Sequence, residues 1–145
     1  MTKNVESAEL EVRRVVAATP EQVFEAWTSP AALLDWWGPP GGSCQSAAID
    51  LQVGGSYRIT NSLPDDSTVT IVGQFLDVVP PSRLSYTWTT DAGAQSDEIV
   101  TVLFKPHNGG TEVVVSHQRI ASPEGLGGHE AGWQACLSGL VAYFA

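Results

Sequence analysis

Two hydrophobic periods share this chain, and their order restricts it to few folds. From about residue 45 to 119, apolar side chains recur at every second position, the spacing of strands with one covered face. Toward the end the spacing changes to three and four. Trp133, Cys136, Leu137, Leu140, Val141 and Phe144 then share one helical stripe. A run of strands followed by one helix is an α+β pattern.

The alternating region divides at its turn residues. Segments 46–50 and 56–61 flank Gly54-Gly55, and 68–79 follows the polar loop Leu63-Pro64-Asp65-Asp66-Ser67. Pro80-Pro81-Ser82 turns the chain into 83–90, where Leu84, Tyr86 and Trp88 share a face. Segments 97–105 and 111–119 pair across Pro106-His107-Asn108-Gly109-Gly110, a hairpin signal. Such short connections predict an antiparallel meander. A helix over 126–144 would be roughly 28 Å long, close to the length of a nine-residue strand at about 30 Å. One helix can therefore lie along the whole sheet.

Before the meander, 9–17 reads as a strand in which Leu10, Val12 and Val15 alternate with charges. Thr19-Pro20-Glu21-Gln22 then supplies an N-cap, a first-turn proline and a capping-box partner. Ser29-Pro30 repeats the signal, so two short helices are expected in a V. The second runs into Asp35-Trp36-Trp37-Gly38-Pro39-Pro40-Gly41-Gly42. Neighbours on a helix point about 100° apart, so a single core cannot easily take both rings. Large aromatics beside a rigid Pro/Gly loop suggest the rim of a pocket.

Strand alternation gives the inner face: Tyr57 and Ile59; Phe75; Leu84, Tyr86 and Trp88; Val100, Val102 and Phe104; Val113, Val115 and His117. The helix offers Trp133, Leu137, Leu140 and Phe144. A slip of one residue inverts a strand's faces, and a bulge near Gly73 would do so in the long strand.

Composition narrows the function. Net charge is −9 with only seven Lys and Arg, so a basic stripe for nucleic acid is lacking, and anionic membranes are disfavoured. No apolar run approaches the ~18 residues of a membrane span. The start has neither a basic region nor an apolar block of the signal-peptide kind. Cys44 and Cys136 lack metal spacing, and a reduced, cytoplasmic setting is expected. The length fits one domain, 1–145, with 1–8 a flexible N-terminal segment.

In order along the chain, Ala18-Thr19-Pro20-Glu21-Gln22-Val23-Phe24-Glu25-Ala26-Trp27, Trp36-Trp37-Gly38-Pro39, Gly54-Gly55-Ser56-Tyr57-Arg58, Pro80-Pro81-Ser82-Arg83-Leu84-Ser85-Tyr86-Thr87-Trp88, Gly110-Thr111-Glu112-Val113 to His117, and Gly132-Trp133 form a recognisable set. With them the chain resembles the START-like helix-grip superfamily of polyketide cyclases and the birch-pollen allergen. It is most similar to the branch named for the activator of the ninety-kilodalton heat-shock chaperone's ATPase. The resemblance implies a curved sheet of six or seven strands wrapped around a long C-terminal helix, with two short helices after the first strand. It also implies a small-molecule cavity, without fixing one activity. The eukaryotic co-chaperone carries a further domain before this one, so a chaperone role is not expected.

The expected ligand site joins Trp37, Tyr57, Phe75, Tyr86, Trp88, Val102, His117, Trp133 and Leu137, holding a small hydrophobic or amphipathic molecule. Trp36-Trp37, Trp88 and Trp133 also read as plain core. His117 is the first suspect for orienting a ligand or for acid/base work, against a hydrogen-bonded interior role. His107 and His129 read as solvated, as do Asp65-Asp66 and Asp97-Glu98. A metal site on His117, His129 and Glu130 is not expected, since neither HxxxH nor HExxH spacing occurs. Neither GxGxxG nor Gly-x-Ser-x-Gly occurs, and no cofactor is expected. Three functions stay open: a binding protein, an enzyme of cyclase, hydrolase or dehydratase type using the same pocket, and an interaction module that includes a homodimer through a strand edge or the helical lid.

Overall fold

In a computed structural model, residues 8–90, 97–120 and 123–145 are described. The expectation for the first residues of the chain lies outside them. The elements run β1 (Ala8–Val16), α1 (Pro20–Thr28), α2 (Pro30–Trp36), β2 (Ser43–Ile49), β3 (Ser56–Ser62), β4 (Thr68–Val79), β5 (Arg83–Thr90), β6 (Glu98–His107), β7 (Gly110–Ile120) and α3 (Pro123–Tyr143). All strand pairs are antiparallel, in the order β1-β7-β6-β5-β4-β3-β2. The meander from β2 to β7 is thus as expected, and β1 closes its far edge. The two short helices carry the chain from one edge strand to the other. The expected helix-grip architecture is the observed one.

Local chemistry accounts for the elements. At α1 the Thr19 hydroxyl accepts from the Gln22 amide at 3.2 Å, and the Thr19 amide donates back to Gln22 Oε1 at 2.9 Å. At α2 Ser29 accepts from the Ala32 amide at 3.2 Å. The β6–β7 turn tightens to two residues, Asn108 and Gly109, both at positive φ (49° and 84°), which matches the twist of the strands it joins.

Two expectations change, at Val15 and at Trp36-Trp37, while the inward phase of β4 holds. In β1 the inward residues are Leu10, Val12 and Val16, while Val15 is half exposed. Strict alternation runs through Arg14, whose guanidinium donates to Ser138 Oγ of α3 at 2.9 Å. The irregularity in β4 falls between Phe75 and Asp77, beyond Gly73, so Ile71 and Phe75 keep the same face. Most informative are Trp36 and Trp37, which are both buried. Trp36 ends α2, but Trp37 caps it with extended backbone (φ −82°, ψ 137°). The chain has left the helix by then, so the 100° rule no longer separates the two rings. Trp36 Nε1 donates to the Ala26 carbonyl at 3.0 Å, holding α1 and α2 together.

Helix α3 lies against β1, β7 and α2. Its buried face is Trp133, Cys136, Leu137 and Leu140. Close approach to α2 depends on Gly139, because a Cβ there would overlap the Trp36 carbonyl oxygen. Farther toward the N-terminus the same helix presents Gly128 and Gly132, where a Cβ would meet nothing within 4 Å. Beside these two glycines the helix leaves a gap against the sheet.

Candidate functional site

The gap beside Gly128 and Gly132 is a pocket of about 160 Å³. Its walls are Trp37 and Pro39 after α2, Asn61, Val69, Ile71, Trp88 and Thr90 from the sheet, and His129, Trp133 and Cys136 from α3. Three indoles frame it. Trp133 stands at 5.5 Å from Trp37, nearly perpendicular, and at 5.3 Å from Trp88. A smaller cavity of about 20 Å³, room for about one water, lies on the other side of Trp37 and Trp88. It is lined by Trp27, Leu33, Tyr57, Phe75, Leu84 and Tyr86 among others.

The residues expected to hold a ligand therefore separate. Trp37, Trp88 and Trp133 line the larger pocket. Tyr57, Phe75 and Tyr86 line the smaller one. The Tyr57 hydroxyl is spent on the Thr87 carbonyl at 2.5 Å, and Tyr86 accepts from Trp27 Nε1 at 3.3 Å. Burial pushes both phenols well above the usual tyrosine range. Val102 and Leu137 are fully buried core and line neither space.

His117 is also absent from both linings and is fully buried. It belongs instead to a cluster at the edge of the larger pocket. Trp133 Nε1 donates to His117 Nδ1 at 2.9 Å, and His117 Nε2 lies 2.8 Å from Glu98 Oε1. The same carboxylate oxygen lies 3.0 Å from His129 Nε2. The two imidazoles stack with centroids 4.2 Å apart, and Trp88 meets each of them edge to face.

The network assigns the protons. An indole N–H is only a donor, so His117 Nδ1 carries the lone pair. The imidazole proton then sits on Nε2 and points at Glu98. Burial, with the charge of His129 adding to it, holds the His117 pKa down at about 3. Burial raises the Glu98 carboxyl above its ordinary range, and His129 pulls it partly back. Neutral His117 is a relay between an indole and a carboxylate.

Glu98, His117 and His129 have ligand atoms within 4.8 Å of one another, a donor set that zinc or iron accepts. A metal on His117 Nε2 would need its lone pair there and a proton on Nδ1. Trp133 enforces the opposite tautomer, so these residues do not fit a metal in this arrangement. Glu130, considered from sequence with the two histidines, is exposed, and Glu98 takes its place.

Their sequence context makes Glu98 and His129 look solvated and gives Asn61 no evident role, but the structure brings them to the pocket or its edge. All three have a sequence signal. Asn61 continues the alternation of Tyr57 and Ile59 by one step, and Glu98 extends Val100, Val102 and Phe104 one step back. His129 precedes Trp133 by one helical turn.

Residues 17–145 match the family model described as Activator of Hsp90 ATPase homolog 1-like protein. The chain belongs to this family. Among solved structures it is similar to protein CV1439 of Chromobacterium violaceum, with 29% identity, 94% of this chain and 96% of that one covered, and a TM-score of 0.83. It is similar to the AHSA1 protein of Silicibacter pomeroyi at 29% identity, covering 93% and 96%, with a TM-score of 0.78. The AHSA1-like protein of Aeromonas hydrophila shares the fold at 24% identity, 94% and 91% coverage and a TM-score of 0.79. No curated protein matches the chain. The family's fold is one known for ligand binding. Among the described residues, no helix is long and apolar enough to cross a membrane.

Proposed function

We propose that this protein binds a small, mostly apolar molecule between the inner face of the sheet and the N-terminal half of α3. The observation that carries the reading is the pocket of about 160 Å³ framed by Trp37, Trp88 and Trp133. A dry cavity of roughly 150 Å³ holds one benzene ring, so the occupant has about the size of a single ring. Gly128 and Gly132 keep the helix side of this space open. The indoles offer flat apolar area at little entropic cost.

The test is a titration of tryptophan fluorescence with toluene, in the protein and in Gly132→Leu. A saturable change in the first and none in the second, with both folded by circular dichroism, is expected. A flat titration in the unaltered protein, or full binding in Gly132→Leu, overturns the reading.

One observation favours a second reading, acid/base catalysis on the bound molecule. His129 lines the pocket while Glu98 holds its Nε2 at 3.0 Å. In that reading His129 faces the substrate, and His117, closed off on both nitrogens, positions Glu98. Turnover of an identified substrate that survives His129→Ala would remove it.

A further inference from the structure

Buried polar atoms in a folded protein are nearly always paired, so the exceptions point to what a site receives. Trp27, Trp36 and Trp133 each donate their indole N–H to a protein acceptor. Trp37 Nε1 does not, although the residue is only 3% exposed. The same holds for Oδ1 of Asn61, which is 4% exposed. Both residues line the larger pocket. One atom is a donor and the other an acceptor.

Asn61 is costly where it stands. It continues the inward row after Tyr57 and Ile59 and faces a pocket lined by Val69 and Ile71. A valine would suit the strand and the apolar wall better. An amide oxygen held here without a protein donor is explained by a ligand that supplies one.

We propose, resting on the binding reading above, that the occupant is a hydroxyl-bearing single ring, of the phenol class, whose oxygen accepts from Trp37 Nε1 and whose proton goes to Asn61 Oδ1. A hydroxyl carries both complements in one group. An ether or ketone would serve Trp37 and leave Asn61 unmet. A carboxylate would set negative charge against the Asn61 oxygen. An ammonium would turn its protons toward the Trp37 N–H. Among the described residues neither Lys nor Arg lines the pocket, and the one basic group there, His129, is already engaged by Glu98, so a neutral molecule suits it better than a charged one. The volume and the three indoles ask for one flat ring.

Phenol, anisole and toluene form the test series, titrated calorimetrically into the full chain and into Asn61→Leu. Phenol is expected to bind at least about tenfold more tightly than toluene, because only phenol pairs both buried atoms. Anisole should fall near toluene. In Asn61→Leu the advantage of phenol should shrink to about twofold while toluene binding holds, since Leu meets a methylated ring well. Equal affinity for phenol and toluene in the unaltered protein overturns this inference and leaves the binding reading standing. No binding of any of the three removes both. The ligand series alone decides the matter if Asn61→Leu does not fold.

Discussion

Trp133 Nε1 lies 2.9 Å from His117 Nδ1 across the interface between α3 and β7, and the direction of that hydrogen bond settles the chemistry around it. Because indole can only donate, the imidazole must accept there and donate at Nε2. Glu98 is thereby fixed as an acceptor, and its oxygen also reaches His129. A helix and two strands are linked by one chain of polar contacts beside an apolar pocket. Trp133 has two roles at once, as pocket wall and as proton-assigning donor.

The neutral state of His117 predicts a nitrogen-15 NMR signature. Between pH 8 and pH 5 the ring should remain the Nε2–H tautomer, since its pKa is held at about 3. A change to the doubly protonated ring near pH 6.5 would contradict the assignment. Stability follows by linkage. Below about pH 6.5 the unfolded chain protonates its histidine while the folded one does not, so this contribution is intact above 6.5 and is lost as pH falls toward 3. Glu98 acts in the opposite sense: its raised folded pKa favours the fold at low pH, and that effect is lost as pH rises through the raised value. Glu98→Gln keeps an acceptor and removes that opposing titration. The stability difference between Glu98→Gln and the double variant Glu98→Gln/His117→Gln should therefore narrow on acidification, in denaturant melts at pH 7 and pH 5. A difference that stays constant would contradict it.

Two glycines on one helix should respond oppositely to alanine. Gly132 has open space at the Cβ position, and a helical Gly→Ala exchange stabilises by about 0.5–1 kcal/mol. At Gly139 the same methyl would overlap the Trp36 carbonyl oxygen, backbone that cannot yield without moving α2 from α3. A loss of about 1–3 kcal/mol is expected there. Urea midpoints for Gly132→Ala and Gly139→Ala should move in opposite directions. A stabilised Gly139→Ala would mean that the two helices are not in close contact.

Trp37 separates the two interior spaces and belongs to the lining of both. Trp37→Ala should join them into one larger cavity and destabilise by about 3–5 kcal/mol, the usual range for removing a large buried aromatic. Naphthalene should then bind better to the variant than to the unaltered protein, measured by fluorescence competition. An unchanged preference for single rings would show that Trp37 is not the partition.

The fold was legible because its elements carry agreeing signals. The capping box at Thr19 and Gln22, the proline at each short helix start and the Asn108-Gly109 turn each specify their own geometry locally. The change from period two to period three and four then orders the layers. The site was less legible for a physical reason. Pattern reading follows apolar residues, and it stopped where Tyr57-Ile59 and Val100-Val102-Phe104 gave way to Asn61 and Glu98. Those polar residues keep the inward phase of their strands because the backbone fixes side-chain direction whatever the side chain is. Trp37 misled for a different reason: one residue beyond the helix, the angular rule for neighbours no longer applied. Which atoms remain unpaired in the pocket depends on packing among β3, β4, β5, α3 and the segment after α2, and no local spacing encodes that.

Cys136 offers a chemical probe of the same space. Its side chain is buried at the pocket wall and its thiol donates to the Gly38 carbonyl at 3.2 Å. Burial pushes the pKa up to about 12, with the hydrogen bond to Gly38 pulling slightly back. At pH 8 only about one thiol in 10⁴ is then ionised, and the thiolate is the reactive form. Iodoacetamide should label Cys136 of the folded protein at least a hundredfold more slowly than in urea, as read by peptide mass spectrometry. Toluene at saturating concentration should slow it further, because ring and reagent would compete for one pocket. Labelling at the rate of a free thiol would show that the pocket wall is open to solvent at Cys136. Labelling that is slow but indifferent to toluene would place the bound ring elsewhere.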